Sequence, residues 1–325
     1  MSPAPDPPCV VVIPVLDESD NIRLLLEDLR AQRRSPAEVI VVDAGSTDGT
    51  PLIVSELASR WSALRLIRHP GATAGTGRNV GIRHSRAPVI VTLDAGSRIR
   101  PEWLQSMTAG VFDDANTVTV GTAVADAHSA FERAAGWFTL RAFKPPAAAG
   151  PAGGGFLPAG RNGLCLHRRA WEDAGGYPDA LPWGEDKRFV QALRSAGYEL
   201  RVAADAEVAW RPRSTPAALF RQYERYGRGD AMAKVDRQNE LITLGMFTVG
   251  AALAVRAARG DRRAGAGLAV AAGAYLGIFV RAAAGELDVR AIGWVPGLRL
   301  LIDVAKVTGF LHQVGRESLA SACRR

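Results

Sequence analysis

The chain contains few cysteines, few lysines and few aromatic residues. Its three cysteines form no Cys-x-x-Cys pair, so the sequence excludes a cysteine zinc site and a disulfide framework and indicates a reducing compartment. Four of the 40 basic residues are lysines, and aromatic residues make up 7% of the chain. No nucleic-acid-binding motif accompanies the net charge of +7, which argues against nucleic acid as a partner. Arginine binds phosphate through a planar fork, so the charge favours an anionic lipid or a diphosphate.

The N-terminal segment MSPAPDPP lacks the features of a secretory signal. It has no basic start and no apolar run before Pro14, so no signal peptide is predicted. The 325 residues, 47% of them apolar, allow one globular domain of ordinary size and a smaller second part.

Short apolar runs alternate with helical patterns through the first half of the chain. Apolar, β-rich runs predict strands at 9–13, 39–42, 64–67 and 89–93, and apolar residues at helical spacing predict helices at 21–32 and 51–61. This alternation predicts an α/β fold: an open, mostly parallel sheet with helices on both faces. Residues 144–158, rich in Pro, Gly and Ala, predict a mobile loop, either a connector or a lid over a site.

The composition changes near Leu241, which predicts a domain boundary at 235. Residues 241–255 and 264–280 carry no charge and, as helices, would be about 22 and 26 Å long, short of a bilayer core of about 30 Å. A basic loop separates them, which opposes the positive-inside tendency if both helices span. Residues 296–314 are amphipathic and suit a helix lying in the membrane interface. The alternative is that residues 236–325 form a helical subdomain packed on soluble protein.

Carboxylates follow three of the predicted strands. Asp17 and Glu18 come after the first strand, Asp43 ends the second, and Asp94 ends the fourth. In an open α/β sheet, ligands bind beyond the carboxyl ends of the strands, so these side chains predict a ligand site at one edge. The alternative is a purely local role, because Asp residues at strand ends often serve turns and helix caps.

Five segments in order resemble the motifs of glycosyltransferase family 2, whose members are inverting sugar transferases of the GT-A fold. The segments are IPVLDESDNI (13–22), VVDAGSTDGT (41–50), GRNVGI (77–82), WGEDKRF (183–189) and RQYERYGRG (221–229). The resemblance covers most of residues 9–230, and VVDAGSTDGT is its most specific part. It implies a nucleotide-binding GT-A domain over residues 1–235, followed by membrane-associated helices.

The resemblance also implies roles for particular residues. It implies that Asp186 is the general base, with Glu185 beside it, because inverting transfer needs a carboxylate to take the proton of the acceptor hydroxyl. The nucleotide-sugar site would contain Pro14, Asp17, Glu18, Asp43, Ser46, Arg78 and Asp94, and the diphosphate and acceptor would meet Arg211, Gln222, Arg225 and Tyr226. The alternative for Glu185 and Asp186 is that they only cap a helix that starts near Gly184 and ends near Gly197.

Two metal ligands that the family pattern implies are missing. The second carboxylate of the Asp-x-Asp motif is replaced by Gly96, and Trp210 stands where a histidine is expected. Asp94 remains as a single candidate ligand for Mg²⁺ or Mn²⁺. Arginines in the matched motifs, such as Arg78 and Arg211, would then take over some or all of the metal's role.

Two other functions remain open from the residues alone. Gly75, Gly77 and Gly81 are spaced somewhat like a dinucleotide-binding turn, but they follow the third strand rather than the first, which disfavours an oxidoreductase. The other alternative is a transferase fold that has lost activity and acts as a binding or scaffold protein at the membrane.

The family resemblance and the apolar C-terminal segments together imply where the protein works. The expected donor is a nucleotide sugar, with UDP favoured, and the expected acceptor is a lipid-linked or cell-envelope polysaccharide. Thr215 and Pro216 predict the start of a helix whose aromatic and arginine side chains suit an acceptor beside a membrane. We expect location at the cytoplasmic membrane, with the catalytic domain on its cytoplasmic face.

Overall fold

The computed structural model of the protein describes residues 7–141, 162–234 and 237–322. The strands are β1 Cys9–Val15, β2 Glu38–Asp43, β3 Leu64–Arg68, β4 Val89–Thr92, β5 Ser97–Ile99, β6 Thr117–Ala125, β7 Leu164–His167 and β8 Glu199–Trp210. The helices are α1 Ile22–Arg30, α2 Thr50–Ala58, α3 Ala74–Arg83, α4 Trp103–Asp113, α5 Ala130–Arg141, α6 Arg168–Asp173, α7 Glu185–Ser195, α8 Pro216–Ala233, α9 Arg237–Ala258, α10 Arg262–Ala283, α11 Val289–Ile292 and α12 Val295–Ala322. All four strands and both helices predicted in the first half are present, whereas the loop predicted at 144–158 lies outside the described residues.

The described residues form two compact units. Unit 1 contains residues up to Asp126 and the range 140–211, and unit 2 contains 127–139 and the residues from Pro212 onward. The boundary predicted at 235 therefore differs from the observed division. The reason is that α8 packs along α12, and its Leu219 and Tyr223 share a core with Phe131.

Unit 1 is built on an eight-stranded mixed sheet in the order β3-β2-β1-β4-β7-β6-β8-β5. Strands β3, β2, β1 and β4 are parallel, as predicted from their βα alternation. Beyond β4 the sheet is mixed: β6 and β8 are parallel, so most of the strand pairs are parallel, as predicted. There β7 runs antiparallel to both β4 and β6, and β5 runs antiparallel to β8.

The parallel strands are buried on both faces, which explains their uninterrupted apolar sequences. On one face, Val11 and Val41 pack with side chains of α1 and α4. On the other, Val12 and Val42 pack with side chains of α3 and α7. Because neighbouring residues of a strand point to opposite faces, each strand supplies both layers and leaves its carboxyl end at the sheet edge.

In unit 2, helix α12 crosses α8 at very short distance. A Cβ at Gly227 would lie 2.0 Å from the Lys306 carbonyl oxygen, and a Cβ at Gly309 would lie 2.0 Å from the Glu224 carbonyl oxygen. Only glycine permits this approach, because no real Cβ comes so close to a backbone oxygen. The two glycines therefore set the separation of the helices.

The apolar face of α12 was predicted to lie in a membrane interface, but much of it packs against protein. Leu298, Ile302 and Ala305 are buried in the core of unit 2, so this side meets protein rather than a membrane interface. Leu311, nearer the end of the helix, is exposed. Asp303 is buried despite its charge and accepts hydrogen bonds from Tyr275 and Arg299.

Helices α9 and α10 are longer than their uncharged cores. Each has 22 residues, which corresponds to about 33 Å instead of the 22 and 26 Å predicted from the uncharged runs. The residues from Gln238 to Ala258 and from Arg262 to Ala283 have mean hydropathies of 1.7 and 1.6. Almost none of these side chains is buried within the described protein. By length and composition, both helices can cross a membrane.

Candidate active site

The loops after β1 and β2 are tied together by hydrogen bonds. The backbone N–H of Asp17 donates to Ser46 Oγ at 2.9 Å, and the backbone N–H of Thr47 donates to Asp17 Oδ1 at 2.8 Å. Ser46 also donates its N–H to Asp43 Oδ1 at 3.0 Å. Asp17 adopts a left-handed conformation with φ of 53°, which fits a short turn. Asp17, Ser46 and Asp43 thus meet at one strand edge, as predicted.

Asp43 is a fully buried carboxylate at the end of β2. Its Oδ2 lies 2.7 Å from Nε of Arg68, which ends the neighbouring strand β3 and is half exposed. This pairing places an acceptor and a donor side by side at the sheet edge. The sequence analysis did not predict Arg68 as a site residue, although its position at the end of a predicted strand could have indicated it.

Two further carboxylates near this edge, Glu18 and Asp48, make local hydrogen bonds. Glu18 accepts a hydrogen bond from Asn21 Nδ2, and its backbone N–H donates to Thr50 Oγ1. Asp48 accepts from the backbone N–H groups of Ser19 and Thr50. The hydroxyl of Thr50, followed by these N–H groups, holds the pKa of Asp48 well below its usual range. Asp48 thus secures the start of α2.

Arg78 connects β4 to α7 through two ion pairs. Its Nη2 lies 2.7 Å from Asp94 Oδ1, and its Nη1 lies 2.8 Å from Glu185 Oε1. Arg78 and Glu185 are buried, whereas 42% of the Asp94 side chain is exposed. The Arg78 guanidinium also lies 5.2 Å from the centre of the Tyr177 ring. Three residues predicted from separate motifs are thus in direct contact.

Burial and charge act in opposite directions on this triad. Burial alone would lower the pKa of Arg78, but Asp94 and Glu185 more than offset it, so this pKa lies above its ordinary value. Burial raises the pKa of Glu185, with Asp186 adding to the shift and Arg78 opposing it. Burial also raises the pKa of Tyr177 to about 12. The guanidinium is therefore a permanent positive charge between two carboxylates.

Asn79 and Tyr177 hold the segment that leads into α7, and neither was predicted from the sequence. Asn79 donates to the Tyr177 carbonyl at 2.7 Å and accepts from the Tyr177 N–H and the Trp171 indole, both at 3.0 Å. Tyr177 stacks on Phe189 at 4.0 Å. The only signal in the sequence was that Asn79 follows Arg78 in a matched motif.

The glycines of α3 serve close packing. A Cβ at Gly81 would lie 2.4 Å from Val12 Cγ1, and one at Gly77 would lie 3.1 Å from Pro14 Cβ. A Cβ at Gly75 would lie 3.1 Å from Glu185 Cγ. Their spacing therefore reflects contact of α3 with β1 and α7. The oxidoreductase alternative loses the observation that suggested it.

Helix α7 begins where the sequence predicted. Gly184, with φ of 77°, precedes its first turn, and Gly197, with φ of 89°, follows its last. Glu185 and Asp186 both lie in the first turn, where the helix dipole favours negative charge. Glu185 points to Arg78, and Asp186 accepts a hydrogen bond from the Lys187 N–H while remaining half-buried.

The described residues do not fit a divalent-cation site. No group of three or more His, Cys, Asp or Glu side chains in the described part of the chain could hold a metal ion. Asp94 Oδ1 is already paired with Arg78, and Gly96 supplies no ligand. Trp210, at the position of the expected histidine, is paired with Ser97 across β5 and β8.

The residues predicted at the diphosphate and acceptor divide between the two units. Arg211 is exposed at the end of unit 1. In unit 2, buried Gln222 accepts from Arg213 Nε and donates to the Tyr226 hydroxyl, both at 2.9 Å, and Arg225 of the same helix is exposed. Thr215 caps α8 by accepting from the Ala218 N–H, as predicted.

Comparison with known proteins identifies the family. The sequence model described as glycosyl transferase family 2 matches residues 10–157, and that described as glycosyl transferase family group 2 matches residues 89–280. The succinoglycan biosynthesis protein ExoA of Rhizobium meliloti is 26% identical over 233 residues, 68% of each chain. The glycosyltransferase AglE of Haloferax volcanii is 28% identical over 225 residues, 67% of this chain and 71% of that one.

A solved structure supports the same assignment at the level of the fold. The mannosyltransferase PcManGT from Pyrobaculum calidifontis, solved in complex with GDP-Man and Mn²⁺, superposes with a TM-score of 0.67. It is 20% identical, and the match covers 96% of this chain and 88% of that one. The fold, the order of the motifs and the matches over more than half of the chain lead to one conclusion: the protein is a glycosyltransferase of family 2 with the GT-A fold.

Proposed function

We propose that this protein transfers a sugar, of hexose type, from a nucleotide-sugar donor to a lipid-linked or cell-envelope polysaccharide acceptor, with inversion at the anomeric carbon. A UDP-sugar is the favoured donor. The observation that carries the proposal is the contact of Arg78 with both Asp94 and Glu185. It joins the end of a central strand, where ligands of such sheets bind, to the first turn of the helix that carries Asp186.

Asp186 is the proposed general base. Glu185 is paired with Arg78, and Asp186 follows it in the first turn of α7, where it is half-buried. An acceptor hydroxyl must lose a proton as its oxygen attacks the anomeric carbon and the bond to the nucleotide diphosphate breaks. Asp186 would take that proton, and the departing diphosphate would take the electron pair of the broken bond. In this mechanism Glu185 is a positioning residue that fixes the start of α7.

The nucleotide part of the donor would lie at the edge formed by Asp17, Asp43 and Ser46. Asp43 offers a buried acceptor and Arg68 a neighbouring donor. Arg211 and Arg225 are exposed and are the proposed contacts of anionic groups on donor or acceptor. Two further arginines of unit 2 contact neighbouring side chains: Arg213 donates to Gln222, and Arg228 donates to Glu224.

The proposed acceptor and location rest on unit 2 and on the relatives. Helices α9 and α10 are long and apolar enough to cross a membrane. One relative, ExoA, is named for succinoglycan biosynthesis. We place the protein at the cytoplasmic membrane, with unit 1 on the cytoplasmic face, where nucleotide sugars are available.

The test is a donor panel assayed on membranes that contain the full chain. UDP-, GDP- and TDP-sugars labelled in the sugar are incubated with a lipid extract, and label transferred to lipid or polymer is counted. Asp186→Asn is expected to lower kcat by roughly 10²- to 10⁴-fold, because the base is lost, with little change in nucleotide affinity. Glu172→Gln, which removes an exposed carboxylate of the same unit, is the matched control and should retain activity. Full activity of Asp186→Asn would contradict the assignment of the base.

The alternative is a transferase fold that binds but does not transfer. It is favoured by the missing ligands at Gly96 and Trp210. Calorimetric titration with UDP, run beside the donor panel, separates the two functions. Nucleotide binding with no transfer from any donor, in the presence of the native membrane extract, would support the scaffold function instead.

A further inference from the structure

The turn between β4 and β5 has only one side-chain carboxylate, Asp94, to offer a divalent cation. The backbone N–H of Ser97 donates to the Asp94 carbonyl at 3.3 Å, so Asp94 and Gly96 belong to one tight turn. A cation at this turn could draw on the Asp94 carboxylate, but Gly96 offers no side-chain oxygen. Mg²⁺ and Mn²⁺ prefer oxygen ligands in near-octahedral arrangement, and one carboxylate supplies few of them.

The neighbouring strand does not compensate for this deficit. Ser97 pairs with Trp210 across β5 and β8, which brings the end of β8 next to the turn. An indole has a single N–H donor and no lone pair available for a metal. Within the described part of the chain, no cluster of three metal-ligating side chains exists here or elsewhere.

Arg78 opposes cation binding at the one carboxylate that remains. Its Nη2 lies 2.7 Å from Asp94 Oδ1, so one oxygen of Asp94 is already bound to a positive charge. Arg78 is buried, and Glu185, 2.8 Å from its Nη1, shares its charge with Asp94. A divalent cation at Asp94 would therefore have to displace Arg78 from Oδ1 or bind through the other carboxylate oxygen.

We propose that the donor site of this protein does not hold a divalent cation through its own side chains, and that Gly96 is the position that decides this. A Cβ at Gly96 would meet no atom within 4 Å, and its φ lies outside the left-handed region. The backbone and the surrounding space therefore accept an aspartate without strain. Gly96→Asp would place a second carboxylate in the same turn as Asp94 and build a cation site.

The test measures Mn²⁺ directly, with the purified full chain in detergent and no turnover. Free Mn²⁺ is followed by electron paramagnetic resonance as protein is added, for the wild type, Gly96→Asp and the isosteric neutral control Gly96→Asn. We expect little loss of the free-ion signal with the wild type and with Gly96→Asn. For Gly96→Asp we expect at least about tenfold tighter binding, which corresponds to about 1.4 kcal/mol.

A second measurement tests whether a cation binds at the site only together with the nucleotide. The Kd for UDP is measured with Mn²⁺ and with EDTA. The wild-type values should agree within about threefold, whereas UDP binding by Gly96→Asp should become at least about tenfold tighter with Mn²⁺. This proposal rests on the proposed function in one respect: the site is called a donor site because a nucleotide sugar is proposed to bind there. If UDP does not bind at all, the proposal of a UDP-sugar donor is wrong. The Mn²⁺ titration still shows whether the side chains of the site hold a divalent cation.

Two results would overturn the proposal. The first is one Mn²⁺ bound per wild-type chain and lost in Asp94→Asn, because the existing side chains would then hold the ion. The second is a Gly96→Asp variant that folds but binds Mn²⁺ no better than Gly96→Asn. Folding is checked by the unfolding temperature of each variant.

Discussion

Arg78 is the residue on which the geometry of the candidate site most directly depends. Two carboxylates from different elements share its guanidinium, and one of them, Glu185, is almost fully buried. A buried carboxylate that loses its counter-charge costs far more than an exposed one, because the protein does not replace the lost solvation. A single-point ammonium cannot reproduce the fork that reaches both partners.

Replacement of Arg78 by Met should therefore destabilise unit 1 by about 3 kcal/mol. The measurement is pulse proteolysis in urea on the full chain in detergent. Arg60→Met is the matched control, because Arg60 pairs with Glu56 at 3.9 Å and is 71% exposed. It should change the free energy of unfolding by less than about 0.5 kcal/mol. Equal effects of the two substitutions would show that the buried pairs contribute no more than a surface pair.

The same variant should show a characteristic pH dependence. The pKa of Glu185 in the folded chain is raised above its ordinary value of 4.5, so the folded state binds this proton more tightly than the unfolded state. Stability from Glu185 is therefore gained as the pH falls through the folded pKa and lost as the pH rises. Without Arg78, the folded pKa rises further, and the gain at low pH becomes larger.

The destabilisation caused by Arg78→Met should thus shrink as the pH is lowered from about 8 towards about 5. The experiment compares urea midpoints of wild type and variant at each pH. The Arg60→Met control should show no such trend. If the difference in urea midpoint between wild type and Arg78→Met does not change with pH, the guanidinium has no effect on the pKa of Glu185.

At the scale of elements, α3 owes its position to glycine. Its Gly81 lies against Val12 of β1 and Val42 of β2, so the helix backbone approaches the sheet more closely than a side chain allows. The close approach also places Arg78 and Asn79 within reach of α7 and the segment before it. A shift of α3 away from the sheet would disturb both the core and the site.

Gly81→Ala should cost about 1–3 kcal/mol, because its Cβ would lie 2.4 Å from Val12 Cγ1. A double-mutant cycle with Val12→Ala tests the cause. Removal of the valine methyl groups makes room for the new Cβ, so the double variant should be less destabilised than the sum of the single variants. Simple additivity within about 0.5 kcal/mol would locate the strain elsewhere.

At the scale of the whole molecule, the boundary predicted at 235 and the two structural units lead to different choices of where the chain can be truncated. A chain cut at 235 would keep α8 but lose α12, which covers the Leu219 and Tyr223 side of α8. Experiments on acceptor use therefore need the full chain. The proposed membrane association rests on the exposed apolar surfaces of α9 and α10.

Val249→Arg in α9 should weaken membrane association. Val249 is 61% exposed, and an arginine at the middle of a membrane-spanning helix costs about 2.5–3.5 kcal/mol on insertion scales. The variant should shift from the membrane pellet to the supernatant after an alkaline carbonate wash. Leu52→Arg is the matched control, because Leu52 is an apolar residue of α2 that is 76% exposed in unit 1. Retention of Val249→Arg in the pellet, at wild-type level, would argue against α9 as a span.

The sequence by itself determined the first four strands, the start of α7 and α8, the apolar C-terminal helices and the family. These features depend on local patterns: apolar runs for buried strands, caps and glycines for helix ends, and short motifs in a set order. Within the candidate site, the sequence also predicted that Asp17, Asp43 and Asp94 lie at strand ends, because carboxyl ends of parallel strands share one edge.

Only the tertiary structure decided which side chains meet. Arg78 and Glu185 are 107 residues apart, and their pairing follows from the packing of α3 and α7 on the same face of the sheet. The antiparallel pairing of β7 and β5 with their neighbours, and the burial of α12 against α8, likewise did not follow from local patterns. An amphipathic pattern predicts that one face of a helix is buried, but the neighbouring elements determine whether protein or lipid covers that face.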